Sequence, residues 1–274
     1  MRARCTGTLT IGMNTLVFET ETGRWRTRFD RACDISLPLI FDGAQPRFFH
    51  AAAARAHAFT SGDFQGDVRL GASCNCSTYT LTAHCNGTHT ECVGHITRER
   101  VSVRDVAPQS LLPTQLITIE PMTMDDGDRV IGAEQVRAIA AATSNGASAM
   151  VIRTLPNSSA KLTRDYDVER AAYFAPDAVQ SLVAMGIEHV VTDLPSLDRA
   201  HDGGKLAAHR VFWGMPVGVT SVAQATRTRA TVTELVFIPD SVPDGFYLLN
   251  LQVAPFVADA APSRPVLYPL ERVV

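Results

Sequence analysis

The sequence predicts an α/β fold, a single domain built around a mixed sheet, and three observations support this prediction. Segments with strand and helix patterns alternate through the middle of the chain, and both ends carry mainly strand patterns. No internal repeat, low-complexity tract or linker interrupts the 274 residues. A chain of that length can bury one substantial core, so we expect residues 1–274 to form one domain.

The N-terminal part is predicted to contain strands followed by one long loop. Residues 8–29 alternate polar and apolar side chains around turn residues, which predicts a strand meander within residues 1–30. Residues 34–39 predict an extended strand that ends in a turn. Residues 41–67 mix glycines and a proline with several phenylalanines, which is typical of a long ordered loop. Those phenylalanines either line a substrate pocket or pack in the core.

The rest of the chain is predicted to alternate strands with helices and then to return to strands. Short apolar runs bounded by turn residues predict strands at 116–120, 149–153, 189–192, 232–238, 245–254 and 266–268. The spacing of apolar residues predicts a helix over 132–142. A second helix is predicted over 176–185, because Pro176 stands at its start and Gly186 follows its end.

Composition and charge exclude several classes of function. The formal net charge is −3 and the basic residues are scattered, so no nucleic-acid partner is predicted. No apolar run approaches the roughly 18 residues that a membrane span requires. The first residues lack the continuous apolar segment of a signal peptide, and six unevenly spaced cysteines predict reduced thiols. We therefore expect a cytoplasmic protein whose partner is a small-molecule substrate, with no membrane association.

A histidine-rich segment, AHCNGTHTEC at residues 83–92, carries the strongest chemical signal. The preceding residues 79–82 have strand character, and continuing that strand would place alternate side chains on one face. The residues on this face are Cys85, Gly87, His89 and Glu91. Sulfur, imidazole and carboxylate are ligands of transition-metal sites, and a thiolate with an imidazole favours zinc.

His95 follows just past Gly94, where a metal site needs a general acid or base. Asp193 and Asp198 are predicted to accept hydrogen bonds from the backbone near such a site. Ordinary burial is the alternative interpretation, because buried cysteines are commonly inert and a metal needs further ligands from elsewhere in the fold. The residue pattern alone leaves both interpretations open.

Five segments of the chain together match the motifs of one known family. They are DISLPL (34–39), HCNGTHTECVGH (84–95), TDLPSLD (192–198), HDGGKLAAH (201–209) and TELVFIPDSVPDGFYLLNLQVAP (233–255). The second of them resembles the pattern His-x-Gly-Thr-His-x-Asp-x-Pro-x-His. In content and order, the five segments resemble the cyclase family, which includes bacterial kynurenine formamidase and isatin hydrolase.

The resemblance implies four metal ligands and one catalytic histidine. The implied ligands are His89, Glu91, His209 and Glu234, and the implied catalytic residue is His95. Glu91 stands where the family has aspartate, and Val93 stands in the place of the family's proline.

The position of the first histidine in the pattern leaves two alternatives. Counting back from Gly87 places Cys85 there, whereas His84 lies one residue earlier. Either the Cys85 thiolate is the fifth ligand, as strand alternation predicts, or a local bulge turns His84 inward.

The resemblance also implies a fold and an activity. The fold is of the swivelling β/β/α type, and the assembly is a homodimer or homotetramer. The implied reaction is metal-dependent hydrolysis of a C–N bond in an aryl formamide or cyclic amide. The ion is zinc, with manganese as the alternative. Two other functions stay open, namely a hydrolase or cyclase for lactone-like or polyketide-like carbonyls and a non-catalytic relative that binds a metal or ligand.

Overall fold

Seven of the described strands close into a barrel-like mixed sheet in the computed structural model, which describes residues 14–20, 23–108, 111–142 and 146–273. The strands are Thr15–Thr20 (β1), Gly23–Arg28 (β2), Cys33–Asp34 (β3), Arg55–Ala58 (β4), Thr60–Ser61 (β5), Phe64–Gln65 (β6), Ser77–Thr80 (β7), His89–Cys92 (β8), Leu112–Ile119 (β9), Met122–Thr123 (β10), Arg129–Ile131 (β11), Ala149–Thr154 (β12), Tyr173–Phe174 (β13), His189–Thr192 (β14), Thr231–Glu234 (β15), Gly245–Val253 (β16) and Ala260–Arg272 (β17). The α-helices are Val103–Val106 (α1), Ala133–Ala142 (α2), Pro176–Ala184 (α3) and Ala207–Trp213 (α4). A mixed α/β fold was predicted, and this prediction is confirmed.

The barrel runs in the order β17, β16, β9, β12, β14, β15 and β8, and β8 pairs with β17 to close it. The four strands from β9 to β15 in this order are parallel to one another, whereas the other pairings in the ring are antiparallel. Strands β2 and β1 extend the sheet outward from β17. The β12 and β14 strands are buried throughout, as expected for parallel strands covered on both faces.

Strand alternation divides the core into an inner and an outer layer. Leu116, Val151 and Leu249 belong to a buried cluster inside the barrel, which consists of residues from strands and loops. The alternate residues, such as Ile152 and Val232, face outward and pack with α2, α3 and α4 in a second cluster. The helices therefore cover one side of the barrel, and side chains beneath them are buried.

The two predicted helices are confirmed with small changes at their ends, as α2 and α3. Helix α4 was not predicted because it is only seven residues long. It begins after Leu206 and ends before Gly214, and both of these residues have left-handed backbone conformations. Within the described residues, no helix is long and apolar enough to cross a membrane.

Several predicted bounds differ from the structure. The predicted strand over 232–238 ends at Glu234, because Leu235 adopts a positive φ of 54° that strands do not tolerate. The predicted loop over 41–67 contains β4, β5 and β6, and β4 pairs with β7 in a small separate sheet. The extended strand predicted over 34–39 is limited to β3 and one bridge from Ser36. Of the meander predicted within residues 1–30, the described residues contain the antiparallel pair β1 and β2, whereas residues 1–13, 21 and 22 lie outside the described part.

Candidate metal centre

The candidate site lies on the outer face of the barrel, where β8 and β15 pair. His89 is directly opposite Glu234 in this antiparallel ladder, and Glu91 is opposite Val232. Because strand residues alternate between faces, His89, Glu91 and Glu234 all point outward. All three are almost completely buried, with exposed fractions between 0 and 3%. Two adjacent strands thus place an imidazole and two carboxylates in one buried layer.

Helix α4 places the side chain of His209 next to these buried residues. The His209 Nε2 atom is 2.8 Å from Glu91 Oε1 and 3.5 Å from Glu234 Oε1. The start of α4 is anchored by Asp198, whose carboxylate accepts hydrogen bonds from the backbone N–H groups of Ala208 (2.6 Å) and His209 (3.1 Å). This role as a backbone acceptor was predicted for Asp198. Four of the residues implied by the resemblance therefore lie together although their sequence positions are far apart.

The fifth position is occupied by His84, and the expectation for Cys85 needs correction. Residues 83–85 form a turn, in which the Cys85 N–H donates to Thr82 O at 3.0 Å, and regular strand structure begins only at His89. Alternation therefore does not extend back to Cys85. His84 Nδ1 lies 2.8 Å from Glu91 Oε2, whereas the groups of clustered metal-binding atoms found among the described residues do not include Cys85.

We call His84, His89, Glu91, His209 and Glu234 the donor cluster. Its atoms form two overlapping groups, each with donor atoms within 4.8 Å of one another. One group contains His84 and His89, the other contains His209 and Glu234, and Glu91 belongs to both. Glu91 directs Oε2 toward the first group and Oε1 toward the second. One buried carboxylate therefore joins the two halves of the cluster.

Each histidine of the cluster contacts an acceptor outside it with one ring nitrogen. The contacts are His89 Nδ1 with Gly87 O (3.0 Å), His209 Nδ1 with Asp198 Oδ2 (2.6 Å) and His84 Nε2 with Asp259 Oδ2 (2.8 Å). An N–H that donates outward leaves the lone pair of the other nitrogen directed at Glu91 or Glu234. This arrangement, in which an outer acceptor sets the tautomer, is usual for histidines that bind metals.

Three buried atoms of the cluster lack a hydrogen-bond partner, and they provide a test of whether a metal fits. They are His89 Nε2, Glu91 Oε1 and His209 Nε2. The last two are 2.8 Å apart but are not aligned for a hydrogen bond. Buried polar atoms are nearly always partnered, so a convergent unpartnered set indicates a missing ligand. Imidazole nitrogen and carboxylate oxygen together suit a divalent transition metal, and the donor cluster therefore fits one.

The electrostatics of the cluster show how strongly its members interact. Burial opposes charge on Glu91, but the facing rings of His95 and His209 hold its pKa well below the usual range. Burial also disfavours the charged ring of His209, yet the surrounding carboxylates raise its pKa well above the usual range. In the same way, Asp259 and Glu91 outweigh burial and raise the pKa of His84 to about 10. Without a metal, protons on the histidines would balance the carboxylates.

His95 lies beside the donor cluster and forms a third group of close donor atoms with His84 and Asp259. It is carried by a short 3-10 turn, Val93–Ile96, that directly follows β8. Its Nδ1 atom is 3.8 Å from Glu91 Oε2, which is beyond hydrogen-bonding distance, and its ring centroid is 4.3 Å from that of His84. About a quarter of the side chain is exposed. His95 can therefore reach a molecule bound next to the cluster.

A cavity of about 500 Å³ opens over the donor cluster. Glu91, His209 and Glu234 lie at its buried end, and His95 is also in its lining. Its apolar wall is formed mainly by Phe48, Phe49, Pro195 and Leu206. Phe48 also belongs to a small core cluster, so the two alternatives considered for these phenylalanines are both observed.

Asp259 was missed by the sequence analysis. It stands in the segment VADAAP just before β17, where no neighbouring histidine, cysteine or motif marks it. Only the pairing of β17 with β8 brings Asp259 near His84.

Comparison with family profiles gives one match for this chain. The profile of the Cyclase family, described as "Putative cyclase", matches residues 15–199, which is more than half of the chain. No curated protein sequence matches the chain.

Solved structures show the same fold at low sequence identity. Isatin hydrolase A from Labrenzia aggregata, bound to benzyl benzoate, is 14% identical with a TM-score of 0.62, and the match covers 88% of this chain and 94% of that one. Isatin hydrolase A from Ralstonia solanacearum is 12% identical with a TM-score of 0.62, covering 87% and 92%. A structure titled as a predicted metal-dependent hydrolase from Bacillus stearothermophilus is 16% identical with a TM-score of 0.54, covering 86% and 97%. From the profile match and the shared fold, we conclude that the chain belongs to the cyclase family.

Proposed function

We propose that this chain is a metal-dependent hydrolase that cleaves the C–N bond of an aryl formamide or a cyclic amide. The observation that carries the proposal is the set of unpartnered buried atoms in the donor cluster, at the closed end of a cavity. Family membership supports a hydrolase, and the names of two neighbours of similar fold, both isatin hydrolases, support an amide substrate.

The proposed metal ligands are the members of the donor cluster, namely His84, His89, Glu91, His209 and Glu234. Nitrogen and oxygen donors in this proportion favour zinc, with manganese as the alternative. Since Glu91 belongs to both groups of donors, it would help to hold an ion bound by either group. Cys85 is not among the proposed ligands, because burial, reinforced by nearby carboxylates, raises the pKa of its thiol to about 11.

The chemistry divides between the metal and the side chains of the chain. A divalent ion, when bound, would lower the pKa of its water toward about 7 and would polarise the substrate carbonyl. His95 lines the cavity, with two carboxylates at ion-pair distance from its Nδ1, and is proposed as the general base that accepts the water proton. The same ring then returns the proton to the leaving nitrogen as the C–N bond breaks. The outer acceptors, Gly87 and Asp198, keep the ring orientations of His89 and His209 constant.

The cavity wall supports a planar aryl group as part of the substrate. Phe48, Phe49 and Leu206 provide an apolar surface beside the donor cluster. Aromatic side chains prefer offset-stacked or edge-to-face contacts with aromatic ligands. An aryl ring lying on this wall would hold an attached amide near the cluster and His95.

Substrate assays with metal-loaded protein test the proposal. N-formylkynurenine, isatin and simple lactones should be compared under steady-state conditions, and turnover of at least one of the first two is expected. Turnover of lactones alone would instead favour the alternative of a lactone or polyketide-type hydrolase or cyclase.

A His95→Ala variant distinguishes catalysis from simple binding. General acid–base catalysis contributes about 10²–10⁴-fold, so we expect kcat to fall by that factor while the metal content stays at the wild-type level. Metal retained with no change in rate would favour a non-catalytic relative that only binds a metal or ligand.

Assembly and location complete the proposal. We propose a homodimer or homotetramer in the cytoplasm, on the resemblance that the sequence shows to its family and on the free cysteines among the described residues. Light scattering during size-exclusion chromatography tests the assembly, and a fluorescent fusion tests the location.

A further inference from the structure

The contact between Asp259 and His84 points to a role for a residue outside the donor cluster. We propose that Asp259 is a positioning residue that selects the tautomer of His84 and holds its Nδ1 atom toward Glu91 and the metal. This inference rests on the proposed function, because it assigns His84 as a ligand. It adds an acidic side chain that belongs to none of the five matching sequence segments.

The first argument is the geometry of the His84 ring. Asp259 Oδ2 lies 2.8 Å from His84 Nε2, and Glu91 Oε2 lies 2.8 Å from His84 Nδ1. If Nε2–H donates to Asp259, the lone pair of Nδ1 points into the cluster. Asp198 has the same relation to His209, where it contacts Nδ1 at 2.6 Å and leaves Nε2 inward. Asp259 is thus the counterpart of Asp198 on the opposite side of Glu91.

The second argument is that His84 needs such a partner more than the other histidines do. His89 is held by β8 and His209 by α4, and both are almost fully buried. His84 instead lies in a turn, and about a quarter of its side chain is exposed. A side chain in a turn is not oriented by a regular ladder, so a hydrogen bond from a neighbouring element must orient it. The chain has two residues between His84 and Gly87, one more than the family pattern, which displaces this histidine from the strand.

The third argument is that the backbone around Asp259 is firmly placed. The Cys92 N–H donates to Asp259 O at 3.0 Å, and the Val103 N–H donates to Ala258 O at 2.8 Å. Gly94 permits this approach, since a Cβ atom there would lie 2.4 Å from Val101 O and 3.1 Å from Asp259 Cβ. The carboxylate is therefore presented to His84 by a segment that is tied to β8 and the following turn.

The same carboxylate oxygen lies 3.7 Å from His95 Nδ1, which is too far for a hydrogen bond. Asp259 therefore acts on His84 and leaves the His95 ring available to the cavity. The two neighbouring rings thus have different proposed tasks, since His84 binds the metal and His95 transfers a proton.

The test measures Zn²⁺ affinity by competition with a chelating dye, using metal-free full-length protein. Asp259→Ala removes the acceptor, Asp259→Asn keeps an oxygen acceptor, and Asp63→Ala removes an exposed carboxylate elsewhere as a control. Loss of an outer partner typically weakens metal binding by about 10–100-fold, and we expect that loss for Asp259→Ala. Asp259→Asn should recover part of it, and the control should match the wild type. Metal-free Asp259→Ala should stay folded at the assay temperature but should melt below the wild type, because it loses an ion pair with His84.

The outcomes separate this inference from the proposed function. A wild-type protein that binds neither Zn²⁺ nor Mn²⁺ overturns the proposed function and, with it, the role of Asp259. A wild-type protein that binds Zn²⁺ while Asp259→Ala binds it equally well overturns only the role of Asp259. Asp259→Asn that binds Zn²⁺ no better than Asp259→Ala also overturns it, because the loss would then come from the missing charge rather than from the missing hydrogen-bond acceptor.

Discussion

Two buried charged clusters lie at the same edge of the barrel, and they differ in how completely their atoms are partnered. At the ends of β12 and β14, Lys161 Nζ donates to Asp193 Oδ2 (2.7 Å) and to both oxygens of Thr154. The Asp193 carboxylate also accepts from the N–H and hydroxyl of Thr154. The next strands along the sheet, β15 and β8, carry the donor cluster, in which three buried atoms have no partner.

The difference teaches how to separate a structural charge from a functional one. Both clusters contain buried carboxylates, so burial alone does not distinguish them. The Lys161–Asp193 pair closes on itself through hydrogen bonds, which is what a stable fold requires of buried charge. In the donor cluster, a single cation would accept the lone pairs of several of the unpartnered atoms at once. Five predictions test this contrast.

The largest effect is expected for Glu91→Gln, because Glu91 belongs to both donor groups. The amide keeps the shape of the side chain but removes the charge that a divalent cation needs. Loss of an outer partner alone weakens metal binding by about 10–100-fold, so losing this central ligand should exceed about 100-fold and abolish hydrolysis. Metal analysis and activity assays measure both effects, with Glu134→Gln on the exposed surface of α2 as the control. Full metal content in Glu91→Gln would show that the unpartnered atoms of the donor cluster do not mark a metal site.

Lys161→Met should affect folding rather than metal binding. Removing one member of a buried pair costs about 3–5 kcal/mol, because Asp193 is left without its cation. The free energy of unfolding of the metal-free protein, from urea denaturation, should fall by that amount while metal affinity stays unchanged. The double variant Lys161→Met/Asp193→Asn should lose less than the sum of the two single variants. A loss of metal in Lys161→Met would show that the two clusters are not independent.

Metal removal should change stability by an intermediate amount. A metal present at 100 times its Kd stabilises the folded state by about 2.7 kcal/mol, which corresponds to a Tm increase of roughly 5–10 °C. Scanning calorimetry with and without a chelator measures this shift. The Lys161–Asp193 pair needs no metal, so a Tm insensitive to chelation would mean that the donor cluster is also complete without a ligand.

The Tm increase that the metal causes should depend on pH in a definite direction. In metal-free protein the pKa of His84 is raised from 6.5 to about 10, so its stabilising effect is complete below pH 6.5 and is lost as the pH rises toward 10. The lowered pKa of Glu91 acts oppositely, since its contribution is present above its ordinary pKa of 4.5 and is lost on acidification. Metal ligands must be deprotonated, so metal affinity rises with pH. The difference in Tm between loaded and metal-free protein should therefore widen from pH 6.5 to 9.

The sequence predicted much of the fold because its signals are local. Apolar runs such as residues 189–192 and helix ends such as Pro176 depend on nearby residues only, and both are confirmed. The donor residues on β8 could be recognised for the same reason. Asp259 could not, since it reaches the site only through the pairing of β17 with β8, which is a contact between distant segments. Strand alternation favoured Cys85 over His84, but it does not apply to these residues because they lie in a turn before β8.

The smallest effect is expected for Cys85→Ser, and this absence of effect is itself informative. His84 Nδ1 lies 2.8 Å from Glu91, whereas Cys85 lies outside the donor groups with a thiol whose pKa is raised to about 11, mainly by burial. We therefore expect Cys85→Ser to keep the Zn²⁺ affinity of the wild type, while His84→Ala loses about tenfold or more. Competition with a chelating dye, measured for both variants, decides which of the two neighbouring residues is a metal ligand. The reverse result would mean that the turn rearranges around the metal and that Cys85, not His84, is a metal ligand.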